Sequence, residues 1–150
     1  MYAELFQEFL TGGYTLQVYK DDKLIFASNK DQLIPLLEYI AGPSLQHEQV
    51  TIFDKITGNA AALLAVKANC QEVYSPLGSD LAIKTLNKYD IKYHFTNTVP
   101  YIQKPDGKSM CPMEKLSLDK EPEEFYEVIR GLLTSQNMER AGTKEATWTR

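Results

Sequence analysis

Val50-Thr-Ile-Phe-Asp54, Thr57-Gly-Asn59 and Ala60-Ala-Ala-Leu-Leu-Ala-Val66 follow one another closely in the chain. A short β-branched run, a polar turn with a glycine, and a stretch apolar nearly all round read as strand, turn and buried helix. Glu72-Val-Tyr-Ser75 reads as a second strand and Ser75-Pro-Leu-Gly78 as a loop. Ser79 or Asp80 then caps a helix carrying Leu81, Ala82 and Leu86. Ile91, Tyr93 and Phe95 alternate with Lys92 and His94, which predicts a third strand. Strand–helix–strand–helix–strand with short connections is the pattern of parallel βαβ units, so the fold class is α/β with helices on both faces. Val50–Asp54 and Glu72–Ser75 are expected at the centre of the sheet, because runs of this kind are buried on both sides.

Working outward, Leu5, Phe6, Phe9 and Leu10 share one helical face, and Gly12-Gly13 ends that helix. Tyr14, Leu16 and Val18, then Leu24 and Phe26, alternate about Lys20-Asp-Asp-Lys23 as a β-hairpin at one side of the sheet. Leu33 to Ile40 forms a short helix with Pro35 in its first turn, closed by Gly42-Pro43. Towards the other end, Lys104-Pro-Asp-Gly-Lys108 reads as a turn or flap, and Met113–Leu118 as a short helix. Pro122 opens a longer one whose Phe125, Val128, Ile129, Leu132 and Leu133 keep the spacing of a single buried face. Residues 1–134 are therefore expected as one domain, and the polar residues 135–150 as a mobile tail or a docking segment.

A chain of 150 residues, 43% hydrophobic and 24% charged, is long enough for one real core and too ordinary in composition for disordered or fibrous classes. No apolar run reaches the ~20 residues of a membrane span, and the first residues lack the order of a secretory signal. Two cysteines make neither a disulfide framework nor a metal-ligand set. The expectation from these features is a cytoplasmic protein. The net charge of −4 argues against a nucleic-acid partner. Lys84, Lys88, Lys92, Lys104 and Lys108 are spread over a helix, a strand and a loop, as on a solvated face.

Two constellations carry chemistry. In an open parallel sheet ligands bind beyond the carboxyl ends of strands, at helix starts. Asp54, Lys55, Thr57, Gly58 and Asn59 fall there: Gly58 would admit a ligand to the backbone, Thr57 and Asn59 can hydrogen-bond it, and free N–H groups favour an anion. The same residues also read as simple helix capping. In Met110-Cys-Pro-Met-Glu114, Pro112 at the first helical position makes Cys111 the N-cap, and Glu114 can reach back to it. A thiol so placed has its pKa lowered and is reactive; otherwise it is a small buried hydrophobe. Cys70 reads as structural. Neither His47 nor His94 belongs to a metal-binding pattern, and no phosphate loop or nucleophile elbow is present.

The segments Asp54–Leu64, Val99-Pro-Tyr-Ile102 and Met110–Glu114 resemble those of the bacterial domain of unknown function 1893, in order from about Tyr14 to Leu133. The resemblance implies a cytidine-deaminase-like fold: a three-layer α/β/α sandwich with a mixed sheet of five strands, a hairpin first and parallel strands after it. That family brings no established activity. Zinc deaminases place H-x-E at one helix start and P-C-x-x-C at the next. Leu33–Glu38 and Thr57–Ala61 stand at the corresponding places and contain no cysteine or histidine. The expectation is a zinc-free protein with no metal and no cofactor.

Two functions from different classes follow. One is a binding protein for a small anionic or nucleotide-like ligand, held by Lys55, Thr57, Gly58 and Asn59 with Pro112 and Glu114 supporting the second helix start. The other is a cysteine-dependent enzyme, with Cys111 as nucleophile, Lys55 lowering its pKa and Asp54 orienting it or acting as base. A third use, as an interaction module, would rest on the C-terminal helix and tail. A small molecule is the expected partner, self-association is left open, and no membrane partner is expected.

Overall fold

Consecutive residues of a strand point to opposite faces of its sheet, and in this protein they enter two different cores. In the computed structural model, which describes residues 2–42, 48–140 and 146–148 and side chains as far as Leu132, β3 (Val50–Asp54) sends Ile52 into one core and Phe53 into the other. On the Phe53 face α1 (Tyr2–Thr11) is the one helix among the described residues. Its Phe6 and Phe9, with Tyr2, close around the Phe53 ring, which also meets Tyr19 and Tyr74 at 5.0 and 5.2 Å between centroids. The Ile52 face holds α2 (Ile34–Ala41), α3 (Asn59–Lys67), α4 (Asp80–Lys88) and α6 (Pro122–Arg140) over a mainly aliphatic core.

The hairpin of β1 (Leu16–Lys20) and β2 (Lys23–Ser28) turns through Asp21 and Asp22, whose φ of 49° and 66° are both positive. That is the requirement of a type I′ turn, and aspartate is among the few side chains that tolerate it. β1 lies antiparallel to β3, and β3 parallel to β5 (Cys70–Ser79), which in turn is parallel to β6 (Lys92–Val99). A two-residue β4 (Ile56–Thr57) also pairs with β5. Because β6 occupies one whole edge of β5, β3 and β4 lie end to end on the other. The sheet is thus six positions wide, mixed and open, with β7 (Ala146–Trp148) antiparallel to β2 as the sixth.

β3 and β5 are interior strands, as their composition predicts. Three expectations are corrected. The expected loop at Ser75–Gly78 is strand: β5 runs on to Ser79, and Pro76 falls where β3 has ended at Tyr74 and β4 begins at Leu77, so its missing N–H breaks no pairing. The sheet has six positions rather than five, because β7 comes from the segment read as tail, whose first residues continue α6. On α6, Phe125, Tyr126 and Ile129 are buried while Val128 and Leu132 are exposed, so the apolar face meeting α3 is narrower than its sequence spacing predicts. α3 itself is the buried central helix expected, with Asn59 through Ala65 all out of solvent.

Candidate functional site

At the carboxyl end of β3 the chain passes Asp54 and Lys55, makes the short β4, and enters α3 at Asn59. Facing that entry is α5 (Pro112–Leu116), with Cys111 as its N-cap. Cys111 is brought there by a bend in which its N–H donates to the Ile102 carbonyl at 2.8 Å, Gln103 bridges Met110, and Lys104 N donates to Ser109 O. The expected turn at Lys104–Lys108 is the tip of this bend, with Gly107 at φ +70°. Between the two helix starts is a cavity of about 550 Å³, within the size range of small-molecule sites. Asp54, Lys55 and Gly58 line it from one side; Cys111, Pro112 and Glu114 line it from the other. The two separate constellations of the sequence therefore form one place.

Glu114 gives the site its character. Its side chain is only 2% exposed, and both carboxylate oxygens accept main-chain N–H groups, Oε1 from Asn59 at 2.5 Å and Oε2 from Ile102 at 2.8 Å. The first N–H groups of a helix have no intrahelical partner and attract negative charge; here the chain supplies that charge itself. A Cβ on Gly58 would stand 2.7 Å from both Glu114 Oε1 and Ile102 Cγ1. Gly58 does permit a close approach, then, but to Glu114. Glu114 does not reach back to Cys111, whose N–H already has the Ile102 carbonyl.

Burial pushes the Asp54 carboxyl up to about 7, outweighing the nearby backbone N–H groups of Ile56 and Lys55 that favour its charged form. Lys55 faces elsewhere. Its ammonium donates to the carbonyls of Phe9 and Leu10 at 3.1 and 3.2 Å and lies 4.7 Å from the Phe9 ring centre, closing the C-terminus of α1. The expected help from Lys55 to the Cys111 thiol is therefore replaced by a structural contact. Asn59 is likewise a strut: its amide nitrogen donates to Ser117 O and Oγ, and its oxygen accepts from Thr85 Oγ1. Thr57 is buried, with its hydroxyl unpartnered and its backbone paired to Gly78. Neither Thr57 nor Asn59 lines the cavity.

Several lining residues were missed in the sequence. Thr15, Asp31, Gln32 and Leu33 arrive from the hairpin end and the approach to α2, and Ile102 and Gln103 from the bend. Gln32, at φ 59°, carries a left-handed conformation that no sequence signal announced. Cys70 is buried beside the Glu72 carbonyl, and burial pushes its thiol up to about 12, in keeping with a structural role. His94 stacks on Tyr74 and meets Glu72 at 2.6 Å, on β5 and β6; His47 lies outside the described residues. Among the described residues no three His, Cys, Asp or Glu side chains are grouped to hold a metal, and no helix is long and apolar enough to cross a membrane.

A family model described as "Domain of unknown function (DUF1893)" matches residues 4–133. The crystal structure of a DUF1893 family protein from Thermotoga maritima is similar to this chain, with a TM-score of 0.73 and 28% identity, over 87% of this chain and 86% of that one. No curated protein matches.

Proposed function

The chain belongs to the DUF1893 family, and since that name carries no activity we propose from the cavity itself that the protein binds a small molecule between the start of α3 and residues 102–114. One observation carries this reading. The cavity has an apolar wall, with a few polar groups converging on it from segments far apart in sequence, which is the usual make-up of a ligand site. The order of hairpin followed by parallel crossovers supports describing the fold as cytidine-deaminase-like. An anionic ligand at Thr57–Asn59 fits poorly, because Glu114 already holds the first N–H of α3. A ligand that brings hydrogen-bond donors to the carboxylates of the wall suits the space better. Screening a fragment library by amide chemical shifts tests the reading: hits should move Gly58, Ala60, Ile102 and Met113 together. Hits scattered over the surface, with this group unmoved, would refute it.

A second reading, a cysteine-dependent enzyme, is favoured by one finding: Cys111 and Asp54 line the same cavity. Asp54 would accept the thiol proton, and its carboxyl, pushed up to about 7, is suited to exchange one near neutral pH. Iodoacetamide should then label Cys111 much faster than Cys70. Asp54→Asn should slow that reaction, while Lys55→Ala should leave it unchanged, since the Lys55 ammonium is held at α1. Equal, slow labelling of both cysteines would remove the enzyme reading.

A further inference from the structure

Carboxylates outnumber ammonium groups around the cavity. Asp31, Asp54 and Glu114 reach its wall, and Lys55 is the only basic residue among the described ones lining it. The Lys55 ammonium does not offset them, because it is turned to the carbonyls of Phe9 and Leu10. The positive end of α3, which would otherwise draw an anion, is met by Glu114. Glu114 is also satisfied without any ligand, with an N–H on each oxygen. Asp54 is in a different position. Among the described residues, the backbone N–H groups of Ile56 and Lys55 are what favour its charge, and they fall short of what burial takes away. A carboxylate in such surroundings attracts a counter-charge more strongly than it would in water. Most of the remaining wall is apolar, from Leu33, Ile56, Ala60, Ala61, Ile102 and Met113.

We propose that the cavity takes a small organic cation, an amidinium or ammonium head on an apolar body, with the head donating to the Asp54 carboxylate. This rests on the small-molecule reading and names the ligand class for it. The body covers the aliphatic wall, and the head supplies the positive charge that the lining lacks. Anions are disfavoured because Glu114 already holds the first N–H of α3. The groups that bear on Asp54 across the cavity are Asp31 before α2, Lys55 next in the chain, and Cys111 and Glu114 from α5. A protonated Asp54 offers no charge to a cation, so binding releases a proton from it and strengthens as pH rises through about 7.

Three isosteric probes test this on the intact protein: benzamidine, benzamide and benzoate, titrated by calorimetry with amide shifts locating each. At pH 8 benzamidine should bind about tenfold tighter than benzamide, and benzoate weaker than either. Benzamidine binding should strengthen about tenfold from pH 6 to pH 8, as a carboxyl titrating near 7 requires. Asp54→Asn should abolish both the preference and the pH dependence, whereas Asp31→Asn should keep the pH dependence. The titration of the unaltered protein tests the proposal even if Asp54→Asn misfolds. Benzamide equal to benzamidine, or benzoate tightest, overturns the cation and leaves the cavity as a site. A preference for benzamidine that ignores pH overturns the role of Asp54. None of the three moving the cavity amides overturns both readings.

Discussion

Two helices, α3 and α4, begin at the carboxyl ends of neighbouring strands and are closed in opposite ways. At α4 the N-cap is Ser79, whose own hydroxyl accepts the Ala82 N–H at 3.0 Å, with Asp80 in the first turn. At α3 the N-cap is Gly58, which has no side chain, and the capping group is the Glu114 carboxylate brought in from α5. A local cap finishes a helix with one residue and leaves nothing beside it to fill. A borrowed cap needs a glycine, a carboxylate held on another element, and a second donor to hold that carboxylate. The ground between the two elements is where the cavity lies.

Removing the borrowed cap gives the sharpest contrast. Glu114→Ala leaves the N–H groups of Asn59 and Ile102 without their acceptor and should cost about 3–5 kcal/mol in urea unfolding. Gly58→Ala attacks the same join from the other side. Its Cβ would overlap Glu114 and Ile102 and should cost about 1–3 kcal/mol, with amide shifts at both partners. A loss under about 0.5 kcal/mol for either variant would mean that the carboxylate is incidental.

Asp54→Asn probes the cost of the open ground beside α3. An Asp54 carboxyl pushed up to about 7 holds its proton more tightly in the folded state than in the unfolded one. As pH rises from about 4 the unfolded state ionises first, so stability falls until about pH 7 and the penalty is complete above it. The full linkage of about 4 kcal/mol is halved to about 2 here, because Asp54 keeps some contact with solvent. Asp54→Asn should therefore stabilise the protein at pH 8 and make no difference at pH 3.5, as thermal melts at the two pH values would reveal. Ser79→Ala completes the series with the smallest effect, about 1 kcal/mol and independent of pH, since only one neutral cap is lost.

The same contrast explains what could be read in advance. Ser79 was visible as one of two candidate caps, beside Asp80, because cap and helix are adjacent in sequence. The type of most elements from β1 to α6 followed equally from local periodicity and turn residues, while β4 and the far end of β5 were read as turn and loop; the resemblance added a hairpin followed by parallel strands. Gly58 was correctly singled out as a place of close approach, but the group approaching it comes from position 114, and no spacing within the helix points there. Lys55 was read by its charge alone; the carbonyls that hold it belong to α1, far off in the chain. Pro76 read as a loop because its tolerance inside β5 depends on where β3 stops and β4 starts, which only pairing reveals. Asp54 and Cys111 were each legible as chemistry, and their convergence was not.

The Glu114 carboxylate joins two amides that belong to different stretches of the chain, Asn59 at the head of α3 and Ile102 in the bend. Neither proton can be stripped by solvent while the carboxylate stays in place. Any breathing motion that lifts the bend uncovers both at once, so in hydrogen exchange they share one opening event and one protection factor. A molecule seated beneath the bend would slow both together without touching either, and this pair of amides would register occupancy of the cavity before the ligand itself is known.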